Sequence, residues 1–176
     1  YGEALMIEVI SKPERDVVAI MMDGKVFTEY RYGHYACRPF LYPMKTPEGI
    51  PLTRGFPVEN LDGENQDHYH HRSVYTAHGL VNGFNLWDES LNHGVMLQRG
   101  EPTVGIVGKS AQIDGVVDWF GPNGEPLIEE RRTIKIRQEG FMRILNHRSE
   151  FRARHEDVQF GDTKEGGLSV SYTHLR

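Results

Sequence analysis

The sequence has a single cysteine, Cys37, among its 176 residues, so no disulfide can form within the chain. It also lacks any apolar run near the roughly 18 residues that a membrane-spanning helix requires, so no membrane span is expected. A helical period of apolar residues is nearly absent. The charge balance, 20 Lys and Arg against 25 Asp and Glu, argues against a nucleic-acid-binding surface. With 38% hydrophobic residues, the composition predicts a soluble globular domain with a sizeable core.

Turn residues divide the sequence into short segments typical of antiparallel strands. Asp23-Gly24 between residues 17–22 and 25–32 predicts a hairpin, because the tight turn needs a positive φ at both central residues. Residues 121–124 and Gly140 predict two further reversals. The remaining strands are predicted at residues 38–45, 51–54, 104–107, 113–120, 127–138 and 141–152, with a loop at 56–66. About seven to nine strands without a convincing helix predict an all-β fold, an antiparallel β-sandwich.

The two ends of the sequence predict that the chain is a piece of a longer protein. It starts at Tyr1, and no signal peptide is visible. Residues 166–170 have the pattern of an opening strand, and residues 171–176 resemble the translation of a sequencing adapter. We therefore expect one β-sandwich domain over residues 1–170, incomplete at its C-terminal end, and a non-native tail at 171–176. The cellular location, cytoplasmic or exported, does not follow from the sequence.

Four of the nine histidines fall within eleven positions, between Asp67 and His78. In an extended segment His68 and His70 share one face and His71 points to the other, a spacing that suits paired metal ligands or contacts to sugar hydroxyls. Neutral imidazole is also a general base near neutral pH. The alternative is that the imidazoles bond buried backbone groups. A metal site needs a third ligand, for which the candidates are His78, Asp67, His93 and Glu165.

Polar groups near the histidines suit a hydroxyl-rich or anionic ligand. Arg72 and Asp67 can set the imidazole tautomers and hold such a ligand. Arg54 either returns to the same pocket or lies on the surface. Asn82 either shapes a turn or offers its amide to a ligand.

Two further features have a functional and a structural interpretation. Residues 161–167, which include Lys164 and Glu165, form either a loop that lines an active site or an ordinary turn. The two tryptophans, Trp87 and Trp119, belong either to the core or to platforms on which sugars stack.

Five short segments carry a family resemblance. They are Pro39-Phe40-Leu41-Tyr42-Pro43, Thr53-Arg54-Gly55, Asp67-His68-Tyr69-His70-His71-Arg72, Ala77-His78-Gly79-Leu80-Val81-Asn82-Gly83 and Gly161-Asp162-Thr163-Lys164-Glu165-Gly166-Gly167. From about residue 16 to residue 168 the chain resembles a bacterial family of unknown function labelled PmoA, or methane oxygenase PmoA. The histidine block is the most specific part of this resemblance. Members commonly have Gly after the final arginine of that block, where this chain has Ser73.

The resemblance implies a fold more than an activity. Members are usually longer, which agrees with an incomplete chain. The methane monooxygenase subunit of the same name is an integral membrane protein, and this sequence has no span to match it. The resemblance implies instead an all-β sandwich similar to galactose-mutarotase-like folds, in bacteria that degrade complex glycans, which is an analogy of fold.

The leading hypothesis is a carbohydrate-active enzyme that uses histidine and carboxylate acid-base chemistry on a sugar or glycan fragment. Its partner would be a small-molecule or oligosaccharide ligand, and the reaction is an epimerisation, an elimination or a hydrolysis. The residues predicted to be catalytic are His70, His71, His78 and Glu165. The residues predicted to bind substrate are Arg54, Asp67, His68, Arg72, Asn82 and Lys164.

Two alternatives stay open at this point. A metal-dependent oxygenase would hold iron with two histidines and a carboxylate. If a divalent metal binds, its predicted ligands are His68, His70 and His78, and no other cofactor is assigned. A non-catalytic sugar-binding module would bind without turnover, and its main contacts would come from Trp87 and Trp119.

Overall fold

The fold consists of two antiparallel sheets, described for residues 6–171 in a computed structural model. The strands in this range are β1 (Ile7–Lys12), β2 (Val17–Met22), β3 (Lys25–Arg31), β4 (Phe40–Leu41), β5 (Val74–His78), β6 (Val95–Gln98), β7 (Thr103–Val107), β8 (Ser110–Phe120), β9 (Pro126–Glu139), β10 (Met142–Ala153) and β11 (Gly166–Val170). The helical structure within the range is one 3-10 turn at Pro13–Arg15. The prediction of an all-β, sandwich-like fold is confirmed. No helix within residues 6–171 has the length and apolar character needed to cross a membrane.

The first sheet has the strand order β1-β2-β3-β4-β5-β11, and the second has the order β10-β9-β8-β6, with β7 also paired to β8. The predicted hairpin between β2 and β3 is present, with Asp23 at φ 50° and Gly24 at φ 71°. Gly140, at φ 57°, reverses the chain between β9 and β10. Both turns need the left-handed backbone conformation that glycine adopts at little cost.

The two sheets pack face to face through alternating apolar side chains. Val18 and Ile20 of β2 share a core cluster with Ile113 of β8 and Ile134 of β9. At the other end of the sandwich, Trp119 belongs to a cluster with Phe40, Tyr75, Met96 and Ile128, among others. The first cluster therefore lies between the sheets, as a period-two burial pattern requires, and the second extends beyond the strands to Leu86 and Trp87.

The structure corrects several predicted strands. The strand expected at residues 38–45 is only the two residues of β4. The one expected at 51–54 is reduced to isolated bridge residues, which are Pro51, paired with Lys45, and Thr53. Pro39 and Pro43 flank β4, and proline has no N–H to donate to a ladder, which accounts for the short pairing. Three strands, β1, β5 and β6, were not predicted at all.

The predicted end of the domain stays a prediction. Ser171 extends the pairing of β11, because its N–H donates to Ser73 O at 2.9 Å and its carbonyl accepts from Arg54 N at 3.1 Å. The other residues of the predicted non-native tail, 172–176, lie outside the described residues.

A buried ion pair joins the three long strands of the second sheet. Glu130 of β9 is fully buried and accepts hydrogen bonds from Arg132 Nε at 2.9 Å and Arg132 Nη2 at 2.8 Å. Trp119 Nε1 on β8 donates to it at 2.8 Å, and Ser149 Oγ on β10 donates at 2.5 Å. Burial alone would raise the pKa of Glu130, but Arg132 and these donors lower it, so the carboxylate is held ionised.

Replacing Glu130 should therefore destabilise the fold strongly. In Glu130→Gln the Arg132 guanidinium stays buried without its counter-charge, which we expect to cost about 3–5 kcal/mol in the free energy of unfolding. Urea denaturation of the variant measures this. Arg131→Ala is the control, because Arg131 is an exposed neighbour on the same strand, and it should change stability by less than about 0.5 kcal/mol. Equal losses in the two variants would contradict a structural role for the buried pair.

Candidate functional site

The segment of residues 67–72, called here the histidine loop, is held in place by Arg54. The guanidinium donates from Nη1 to Asp67 Oδ1 at 2.7 Å and from Nη2 to the carbonyls of Asp67 and His68 at 2.7 and 3.0 Å. Its Nε donates to Phe56 O at 3.3 Å. Arg54 therefore lies beside the histidines, which is one of its two predicted placements. Its N–H groups bond the backbone and Asp67 and so stabilise the conformation of the loop.

The histidine loop is a turn and not an extended segment. His68 has a φ of 50°, and the N–H of His71 donates to His68 O at 3.0 Å. The expectation that His71 points away from His68 and His70 is therefore wrong, since the alternation of faces holds only for a strand. The ring centroids of His70 and His71 lie 4.5 Å apart, and those of His68 lie 6.0 and 5.5 Å from them.

Two buried aromatic rings pack against this group of imidazoles. His71 meets the edge of Tyr75 of β5 at 6.2 Å and Trp87 at 5.7 Å between centroids. Tyr75 and Trp87 themselves pack at 5.3 Å. Trp87 is buried, so its interpretation as a core residue is the one the structure supports. Two rings of the loop are exposed, those of His68 and Tyr69, and Tyr69 is 48% exposed and lies 5.5 Å from His70.

The electrostatic surroundings keep two of the imidazoles neutral at pH 7. Burial lowers the pKa of His70, and Asp88, whose Oδ1 lies 3.4 Å from His70 Nδ1, offsets this only in part. Burial also lowers the pKa of His71, and the positive charges of His70 and His68 would lower it further. Because these rings are neutral at pH 7, each has a nitrogen that accepts a hydrogen bond or a proton.

The other predicted substrate-binding residues mostly engage the protein itself. Arg72 makes a two-pronged pair with Glu89, from Nε at 2.9 Å and from Nη2 at 2.7 Å. The Asn82 side chain accepts from Gln159 N at 2.7 Å and donates to Asp157 O at 3.3 Å, which is the turn-shaping alternative. Lys164 is exposed.

Glu165 lies on the edge of this region. Its backbone carbonyl accepts a hydrogen bond from Gly79 N at 2.6 Å, which places it beside the end of β5. Its carboxylate raises the pKa of His71, against the dominant lowering by burial. The structure thus brings Glu165 within electrostatic reach of the histidine loop.

His78 lies elsewhere, in a cleft between the two sheets. Alternate residues of a strand point to opposite faces, so Tyr75 supports the histidine loop while Thr76 and His78 point towards the second sheet. His78 Nε2 lies 3.0 Å from Gly161 O, and its ring meets Phe160 at 5.1 Å. The cleft has a volume of about 470 Å³. Its lining residues are Thr76, Ala77, His78, Trp119, His147, Ser149, Phe151, Phe160, Gly167 and Leu168.

His147 is the titratable residue of the cleft that the sequence-based site prediction missed. Its Nδ1 lies 3.0 Å from Thr76 Oγ1, and its buried Nε2 has no hydrogen-bond partner within residues 6–171. Burial and then the charge of Arg132 lower the pKa of His147 to about 4. The alternation of β10 contains the signal for it, since His147, Ser149 and Phe151 are two residues apart and all line the cleft.

The structure does not gather the predicted metal ligands. Among residues 6–171, no three side chains of His, Cys, Asp or Glu are arranged to hold a metal ion. His68 and His70 belong to the histidine loop, and His78 belongs to the cleft. His93, a further candidate, lies 3.8 Å from Cys37 Sγ through its Nε2 and 2.7 Å from Gly94 O through its Nδ1.

Comparison with known proteins gives one match. The model of a family described as "Family of unknown function (DUF6807)" matches residues 17–173. No curated protein and no solved structure matches the chain. The expected membership of a family of unknown function is thus confirmed, while the PmoA label and the incompleteness of the chain stay predictions.

The buried imidazole of His147 predicts a loss of stability in mild acid. Below about pH 6.5 the unfolded chain protonates this residue, whereas the folded protein leaves it neutral until about pH 4. The unfolded state then binds more protons, so stability should fall by up to about 3 kcal/mol as the pH drops through this window. Denaturation between pH 7 and pH 5 should show a smaller fall in His147→Asn than in the wild type. Identical pH profiles would contradict the assignment.

Proposed function

We propose that this chain, which belongs to the DUF6807 family of unknown function, is a carbohydrate-active enzyme that acts at the histidine loop. The observation that carries the proposal is the grouping of His70 and His71, both neutral at pH 7, beside the Asp88 carboxylate and the exposed ring of Tyr69. Aromatic rings pack against the C–H faces of sugars, and imidazoles and carboxylates bond their hydroxyl groups. A site of this kind suits proton transfer on a hydroxyl-rich ligand.

His70 has the surroundings of a general base. Its Nδ1 is buried and faces Asp88, so the nitrogen left for a ligand is Nε2. When Nε2 takes a proton from the sugar, the Asp88 carboxylate stabilises the imidazolium ion that forms. The imidazolium of His70 then returns its proton to the product, and Glu165 is the carboxylate proposed as its counterpart, because its negative charge is close enough to influence His71. These roles serve an epimerisation, an elimination or a hydrolysis equally well.

The fold adds a weaker argument. The sequence resemblance implies a sandwich of the galactose-mutarotase type, and sandwiches of that type bind sugars. This supports a sugar ligand by analogy of fold alone.

A second candidate function is sugar binding without turnover, in the cleft between the sheets. Its specific support is the aromatic lining, in which Phe151 lies 5.4 Å from Trp119 and 5.9 Å from Phe160. Phe151 and Phe160 are both partly exposed there. A cavity of about 470 Å³ is in the size range of small-molecule sites.

Thermal unfolding in the presence of saccharides identifies a ligand, and turnover of that ligand by the variants separates the two candidates. A sugar at about one hundred times its dissociation constant should stabilise the protein by roughly 2.7 kcal/mol, with or without chelator. Under the proposed function, turnover of that sugar falls by about 10²–10⁴-fold in His70→Ala, while the unfolding temperature without ligand changes little. His155→Ala, which removes an exposed histidine outside both sites, should keep full activity.

Three outcomes decide against the proposed enzyme. Binding without turnover, lost in Phe160→Ala but kept in His70→Ala, would establish the cleft as a sugar-binding module. Activity that disappears in chelator and returns with iron would establish the metal-dependent alternative. Unchanged turnover in His70→Ala and His71→Ala would remove the histidine loop from the reaction.

A further inference from the structure

Arg38 is a buried guanidinium with almost no hydrogen bonds. The residue is 1% exposed and lies just before β4. Its Nη2 lies 3.5 Å from Asp88 O, at the limit of a hydrogen bond, and its Cζ stacks 4.8 Å from the centroid of Tyr75. Its Nε and Nη1 are buried and have no hydrogen-bond partner in the described part of the chain.

Neighbouring arginines are all neutralised, in contrast to Arg38. Arg72 pairs with Glu89 at 2.7 Å, and Arg54 pairs with Asp67 at 2.7 Å. Arg38 forms no ion pair with any carboxylate of residues 6–171. Burial lowers the pKa of Arg38, and the opposing influences of Tyr75 and Glu89 do not compensate for it. Proteins rarely bury a charge without a partner, because no attraction to a counter-charge then offsets the free-energy cost of desolvation.

A second unpaired donor belongs to a residue that packs against the same tyrosine. Trp87 lies 5.3 Å from Tyr75, the ring that Arg38 covers, and its buried Nε1 has no hydrogen-bond partner among residues 6–171. Both groups can only donate hydrogen bonds. The Glu89 carboxylate is taken by Arg72, and that of Asp88 faces Tyr69 and His70. The buried hydroxyl of Tyr75 also has no partner in the described residues and can accept, but it carries no charge, so the group that compensates Arg38 must bring a negative charge.

We propose that Arg38 and Trp87 Nε1 hold the carboxylate of an acidic sugar, so that the substrate class is a hexuronic acid or an oligosaccharide that contains one. This rests on the proposed function. One uncompensated cation matches one negative charge, and a planar carboxylate needs fewer donors than a phosphate. Arg38 Nη2 lies 3.5 Å from Asp88 O, and His70 Nδ1 lies 3.4 Å from Asp88 Oδ1, so the bound carboxylate lies near the proposed base. Because the free nitrogens are buried, binding of the acid group requires the residues that cover them to move.

The test compares acidic with neutral sugars by isothermal titration at constant ionic strength. The probes are galacturonate and glucuronate, the neutral galactose and glucose, a galactose sulfate and inorganic sulfate. The wild type should bind a uronate about ten- to a hundredfold more tightly than the matching neutral sugar, as a charge-assisted hydrogen bond provides. In Arg38→Met this ratio should fall to about one, while binding of the neutral sugar persists.

Arg143→Met is the matched control. Arg143 also stacks on an aromatic ring, Phe27 at 4.9 Å, and also has a buried Nε without a partner in the described residues, but it bonds Lys45 O, away from the histidine loop. It should keep the preference for uronates. Trp87→Phe, which removes the N–H and keeps an aromatic ring, should lower the preference about tenfold and serves where Arg38→Met does not fold.

Each remaining outcome overturns the inference. Equal affinity for acidic and neutral sugars in the wild type refutes it and leaves the proposed function standing. A preference for uronates that survives in Arg38→Met refutes the assignment to Arg38. Tighter binding of the sugar sulfate than of the uronate refutes the carboxylate. If inorganic sulfate alone binds, or if nothing in the panel binds, both the inference and the proposed function fail.

Discussion

The pairing of β5 between β4 and β11 is the constraint on which both candidate sites depend. Tyr75 pairs with Phe40 on one side and with Ser169 on the other, so its ring has a fixed direction under the histidine loop. The next residue, Thr76, points to the second sheet and reaches His147. A strand with ladders on both sides cannot slip by one residue without exchanging its faces. The two sites therefore lie on opposite faces of the same strand, β5.

Charge neutralisation is the second organising constraint. The Glu130–Arg132 pair is buried in the second sheet with every carboxylate oxygen bonded. Arg54 donates hydrogen bonds to the histidine loop, and Arg72 donates hydrogen bonds to Glu89. Against this pattern the isolated charge of Arg38 is an exception within the described residues. Exceptions to polar satisfaction concentrate at functional sites, since folding alone does not reward them.

Local signals predicted the parts of the fold that depend on local chemistry. The Asp23-Gly24 turn and the reversal at Gly140 are such signals, and the structure confirms both. The shortness of β4 was not predicted, because the sequence shows the prolines but not which backbone N–H groups the sheet needs for pairing. For the site, His70 and His71 lie close together in the structure as they do in the sequence, but through a turn that the expected alternation of faces did not predict, and β5 directs His78 to the other face. Arg38 carries no sequence signal, since its missing partner is visible only in three dimensions.

The proposed base and the proposed carboxylate anchor are electrostatically connected. Burial lowers the pKa of His70, and the unpaired charge of Arg38 lowers it further. A carboxylate bound to Arg38 cancels this second effect and leaves Asp88 as the dominant neighbouring charge. The pKa of His70 then rises, and its Nε2 becomes a stronger proton acceptor when an acidic sugar is in place. A neutral sugar leaves Arg38 uncompensated and the base weak. Under the two proposals together, the same arginine favours acidic sugars in binding and in proton transfer.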